Sequence, residues 1–146
     1  MSNVSQIVKS IQKIMRKDPG VDGDAQRLGQ LTWMLFLKIF SDREKENILI
    51  NDDYVSPIPE KLKWSSWAEN DEGITGEELL DFVNKELFPG LKQLDISDPN
   101  AAMVRSVFED THNYMKSGQL LRQVINKIDE IDFNKGTDKH LFGDIY

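Results

Sequence analysis

A chain of 146 residues with 39% hydrophobic and 29% charged side chains has one soluble domain's length and ample material for a single core. It contains no cysteine, which excludes disulfides, zinc–thiolate sites and thiol nucleophiles and fits a cytoplasmic location. The net charge of −7 speaks against nucleic acid for the chain as a whole, but it divides into +3 over residues 1–45 and −10 over residues 46–146. That asymmetry suits one face near phosphates with the remainder solvated, and equally an acidic surface with a chance basic helix.

The first segment places Val4, Ile7, Val8, Ile11, Ile14 and Met15 at helical spacing. It predicts a helix from about Ser5 to Lys17, stopped by the turn Asp18-Pro19-Gly20. No uninterrupted apolar stretch or small-residue cleavage site marks this segment as a signal peptide. A second helix follows, capped by Asp22 or Asp24, with Leu28, Leu31, Leu35 and Ile39 as its inner stripe. Trp33, Met34, Phe36 and Phe40 widen the stripe until little of the helix is left for water, so this is the expected central helix. Its apolar run, Leu31–Phe40, is about ten residues where a bilayer needs roughly 20, so no membrane partner is expected. Lys38, alone inside the run, should carry its amine to the surface along its apolar stem.

Asn51 to Gly73 reads as the loosest part, with Pro57, Pro59 and the pair Trp64 and Trp67 in a short helical turn or extended segment. Thr75 and Glu78 match a capping box, opening a helix that should end at Pro89-Gly90. Asp98-Pro99 signals another start, for a helix burying Met103, Val104, Val107 and Phe108. Ser117 opens the last long helix, with Leu120, Leu121, Val124, Ile125, Ile128 and Ile131 on its apolar face. Asp138 can cap a final turn holding Leu141, Phe142, Ile145 and Tyr146. No sustained period-two alternation or internal repeat is visible. The expected fold is all-α, a single compact helical domain of roughly six helices. Because Leu141–Tyr146 is an apolar, aromatic segment without a polar tail, a further domain is expected to follow it.

Few residues carry chemistry. Asp18, Asp22 and Gly23 fall at EF-hand positions, but Gly20 and Gly29 occupy places that need oxygen ligands, and Glu130–Gly136 fails similarly. Turn chemistry explains both, so no metal site is expected. His112 and His140 have no second ligand at metal spacing. A glycine-rich turn after a strand and an Asn-Pro-Pro-aromatic or Asp-Pro-Pro element, needed to methylate a flipped base, are both missing. No catalytic residue and no cofactor site are therefore expected in this segment. Lys9, Lys13 and Lys17 follow i, i+4, i+8 spacing with Arg16 beside them, a line that can track phosphates or merely solubilise an outer face. Trp64 and Trp67 could anchor a partner, although packing at the core is the favoured reading.

The order of these elements resembles the N-terminal helical domain of the modification (methyltransferase) subunit of type I restriction-modification systems. The resemblance rests on Gly23-Asp24-Ala25-Gln26-Arg27-Leu28, on Trp33 with Phe36-Leu37-Lys38, on Leu120–Phe133, and on the closing Leu141–Tyr146. It covers essentially the whole chain. It implies that residues 1–146 are the N-terminal domain of a longer S-adenosylmethionine-dependent adenine DNA methyltransferase, whose catalytic domain follows residue 146. Implied partners are DNA in the assembled complex, a specificity subunit, a restriction subunit and a second copy of the modification subunit. Lys9, Lys13, Arg16, Lys17 and Arg27 are the expected DNA-backbone contacts. A stand-alone helical protein-interaction module is the alternative reading.

Overall fold

The computed structural model describes residues 4–132 apart from 22 and 71, and among them there are helices and turns but no strand. The helices are α1 (Val4–Met15), α2 (Asp24–Ile50), α3 (Trp64–Trp67), α4 (Gly76–Phe82), α5 (Phe88–Leu91), α6 (Pro99–Phe108) and α7 (Gly118–Asp129). Five follow the predicted order, α3 is the short helical turn expected as one of two possibilities around Trp64 and Trp67, and α5 is a short addition. The expected final turn over residues 138–146 lies outside the described residues, as does Asp22.

α1 is amphipathic as its spacing predicts: Ile11 and Met15 are fully buried, and Ile7, Val8 and Ile14 pack against them. That face meets α7, whose Leu121, Val124, Ile125 and Ile128 are fully buried. α7 also packs on α4 and α2, so it forms the spine of the bundle. Its start is capped as expected, the Ser117 hydroxyl accepting from the Leu120 amide, and Asp98 caps α6 by accepting from Asn100.

α2 is the central helix, with Trp33, Met34 and Leu37 almost entirely buried. Trp33 meets Phe88 edge-on at 4.9 Å and Phe108 at 6.4 Å, and Phe88 meets Phe108 at 5.4 Å, so aromatic contacts join α2, α5 and α6. One expectation for the inner stripe of α2 needs correction. Leu28 is exposed rather than inward, and the run Ile48–Ile50 is exposed at the other end. At 27 residues α2 is about 40 Å long, far longer than the 12-residue helices beside it, and its C-terminal end stands clear of the core. Asp24 does not cap α2: Gly23 occupies the cap position without a side-chain bond, and Asp24 is the first residue of the helix.

The capping box at Thr75 does not form. Thr75 sits at the cap position without a side-chain bond, and Gly76 adopts φ +60°, which lets the chain turn sharply into α4. An added Cβ on Gly118 would lie 1.9 Å from the Gly76 carbonyl oxygen, so two glycines bring α4 and α7 backbone to backbone. Pro89-Gly90 does not end the helix either. A π-helical turn (Val83–Leu87) follows α4, with the Phe88 amide donating to Val83, and the helix runs on through Pro89 into α5. The wider turn accommodates a proline that lacks its own amide donor. In α6, Met103 is half-exposed, and Ala101, Val104 and Phe108 form the inward face instead.

Candidate nucleic-acid interface

Lys9 and Lys13 project from the solvent side of α1, opposite Ile11 and Met15. The helix tightens at its end, where the Lys17 amide donates to Ile14 rather than to the carbonyl four residues back. Lys17 thus lies in the turn beyond α1, near the Lys9–Lys13 line but not strictly on it, with Arg16 exposed beside it. No described carboxylate lies within ion-pair distance of these four cations.

Arg27 is placed differently. Its side chain is only 14% exposed, one nitrogen donates to the Val21 carbonyl at 3.1 Å, and another pairs with Asp24. It braces the turn Pro19–Val21 and presents little charge of its own, although it borders the same end of α1.

The two tryptophans are both inside. Trp64 is 2% and Trp67 6% exposed, with rings 5.4 Å apart, and Trp67 also meets Phe82 at 5.4 Å. Each indole nitrogen has an internal partner: Trp64 donates to Asp129 at 2.9 Å and Trp67 to the Leu62 carbonyl at 3.1 Å. Core packing accounts for them, and neither ring offers a face to a partner in this conformation.

Sequence reasoning missed the buried polar groups. Lys38 does not reach the surface; it is 5% exposed and its amine lies 2.8 Å from Asp42 and 3.8 Å from Asp129. A carboxylate one turn away and a second on α7 make burial of the ammonium tolerable where water would otherwise be needed. These groups line an open cleft of 300 Å³ together with Lys45, Glu69 and Asp132. Arg122 is also buried, donating to the carbonyls of Trp67, Ala68 and Ile74 and to Asn126, which fastens the segment after α3 onto α7. Asp18 is fully buried, and its carboxylate accepts the amides of Gly20, Lys116 and Ser117 at 2.8–3.0 Å. Gln30, also fully buried, accepts the Tyr114 amide and donates to Asn113. Asp18 and Gln30 together pin the extended stretch 113–117 across the α1–α2 turn.

Among the described residues no group of three or more His, Cys, Asp or Glu could hold a metal ion, and His112 is exposed, its ring 6.2 Å from that of Tyr114. No helix of the described residues is long and apolar enough to cross a membrane.

The family model described as the HsdM N-terminal domain matches residues 4–128. The chain belongs to the HsdM N-terminal domain family. That match spans α1 through nearly all of α7, the whole helical unit built above. The chain is 58% identical to the EcoEI methylase subunit of the Escherichia coli type I restriction enzyme, covering 99% of this chain and 30% of that protein. Among solved structures it is similar to a modification subunit of a putative type I restriction enzyme from Vibrio vulnificus YJ016. There the TM-score is 0.85 and the identity 36%, over 97% of this chain and 33% of that one. A second similar chain comes from a structural study of complex assembly and conformational transition in a type I restriction-modification system, with TM-score 0.82 and 29% identity over 98% of this chain and 28% of that one. This HsdM-type domain therefore spans about a third of the length of the relatives it matches.

Proposed function

We propose that this HsdM-type domain is the non-catalytic N-terminal part of a type I restriction-modification DNA methyltransferase subunit, and that it helps close the assembled enzyme on DNA. The family match over residues 4–128 carries the reading. On this view the full-length protein is a cytoplasmic, S-adenosylmethionine-dependent adenine methyltransferase. It works with a specificity subunit, a second modification subunit and a restriction subunit. Catalysis belongs to a domain beyond residue 146.

The α1 face supports the DNA role. Lys9, Lys13, Arg16 and Lys17 are exposed cations with no described carboxylate in ion-pair range, so their charge is available to phosphates. Phosphate contacts of this kind hold a protein on the duplex without reading its sequence, which suits a domain that works beside a separate specificity subunit. Subunit contact is supported by the far end of α2, where the consecutive Ile48, Leu49 and Ile50 are 51%, 85% and 84% exposed. Apolar side chains gathered on a surface in this way commonly meet protein.

In the assembled enzyme, replacing Lys9, Lys13 and Lys17 by glutamine should leave subunit assembly intact and weaken binding to cognate and unrelated duplexes alike. Loss of discrimination between the two, with non-specific affinity unchanged, would contradict the role. The isolated domain should show no saturable binding of S-adenosylmethionine by calorimetry; micromolar binding would overturn its assignment as non-catalytic.

A further inference from the structure

We infer that Lys116 is a further DNA-backbone contact, held beside the basic face of α1 by the buried carboxylate of Asp18; this rests on the DNA role proposed above. Lys116 lies 98 positions from Asp18 in the chain, and no local periodicity joins them. In the fold its amide donates to both carboxylate oxygens of Asp18, at 3.0 and 2.9 Å, and the Ser117 amide donates at 2.8 Å. The bonded path from Lys17 through Asp18 to the Lys116 amide leaves the two α-carbons about 12 Å apart or less. Both side chains are exposed, and long flexible stems can bring their ammonium groups onto one stretch of phosphates.

Two further features fix the placement. At Gly20 an added Cβ would lie 1.8 Å from the Tyr114 carbonyl oxygen and 3.1 Å from Lys116 Cγ, so the stretch rests directly on the turn and the lysine stem crosses it. Gln30 holds the same stretch from α2 through Tyr114 and Asn113.

The electrostatic setting points the same way. Lys116 immediately precedes the cap of α7, and the first turn of α7 has no acidic residue. A cation at a helix N-terminus opposes the helix dipole, whereas an anion there is favoured. Asp18 offsets part of this locally, but it is fully buried with its oxygens turned to amides. Lys116, Lys17, Arg16 and the start of α7 thus concentrate positive potential at one end of the α1 face. Glu77 is the acidic neighbour across the small cleft that Lys116 borders.

The test is DNA binding by the assembled methyltransferase at several salt concentrations. Lys116→Gln should weaken cognate and unrelated duplexes by the same several-fold factor and lower the slope of log affinity against log salt by up to about 0.9. Lys85→Gln, an exposed lysine on the π-helical turn, should change neither. Asp18→Asn adds a discriminating sign: removing a negative charge alone would tighten binding, whereas loss of positioning weakens it, and weakening is expected with the fold checked by thermal melting. If the Lys9/Lys13/Lys17 triple variant weakens binding while Lys116→Gln matches Lys85→Gln, this inference is wrong and the α1 role stands. If the triple variant is also inert, the DNA role fails and takes this inference with it. Tighter binding by a folded Asp18→Asn would remove Asp18 as a positioning residue.

Discussion

Lys38 and Asp42 face each other across one turn of α2, Nζ to Oδ1 at 2.8 Å, and both are at least 95% buried. Removing one partner of such a pair strands the other charge away from water, which commonly costs 3–5 kcal/mol. Asp129 at 3.8 Å softens the loss for Lys38. Asp42→Ala should therefore cost about 3 kcal/mol in urea unfolding, and Lys38→Met a similar amount. The double variant Lys38→Met/Asp42→Leu should be more stable than either single variant. Single losses that add up in the double variant would show that the two charges do not depend on each other.

Trp33 and Trp64 are both fully enclosed but differ at one atom. The indole nitrogen of Trp33 is buried with no hydrogen-bond partner, whereas that of Trp64 donates to Asp129. Phenylalanine at either position loses ring volume, but at Trp33 it also relieves an unpaired donor worth about 1–3 kcal/mol. Trp33→Phe should be the milder substitution by at least about 1 kcal/mol in thermal or urea melts. Equal losses would mean the Trp33 nitrogen finds a partner in solution.

Tyr54 donates its hydroxyl to Glu44 at 3.0 Å. Burial, together with the hydrogen bond and charge of Glu44, pushes its pKa up from 10.0 to about 12. The folded state thereby favours the neutral phenol. Its contribution to stability is complete below pH 10 and is lost as pH rises through about 12. The stability difference between the parent and Tyr54→Phe should be constant at neutral pH and shrink across that window. A difference that does not change with pH would show that the Glu44 contact leaves the phenol's titration untouched.

Much of this fold was legible in the sequence because α1, α6 and α7 bury one regular stripe each. Asp98 and Ser117 cap as their types predict. What escaped was set by neighbours rather than by local pattern. Leu28 obeys the α2 period but is left exposed, while Arg27, Gly29 and Gln30 beside it meet the Pro19–Val21 turn and the stretch 113–117. Pro89 breaks a helix by rule, yet the π-helical turn before it lets the helix continue. Lys38 had an apolar stem suited to reaching water, but Asp42 and Asp129 gave its amine a partner inside. For the candidate site, the exposure of Lys9 and Lys13 was readable from helical spacing, whereas Lys17 leaves their line because the backbone tightens just before it. Arg27 was not readable in this way, because its role depends on the Val21 carbonyl and Asp24 that engage it. The meeting of Asp18 with Lys116 joins residues so far apart in the chain that only the folded backbone displays it.

The central claim is that the exposed lysines of α1 and of the turn that follows it lie against the DNA backbone when the subunit is assembled. Its most direct measurement is the salt dependence of duplex binding by the assembled methyltransferase, with Lys9, Lys13 and Lys17 intact or replaced by glutamine. Each lost phosphate contact should lower the slope of log affinity against log salt by up to about 0.9, so the triple variant should lower it by about 2 to 3 while subunit assembly is retained. An unchanged slope and an unchanged affinity, with assembly confirmed, would show that this face meets only water.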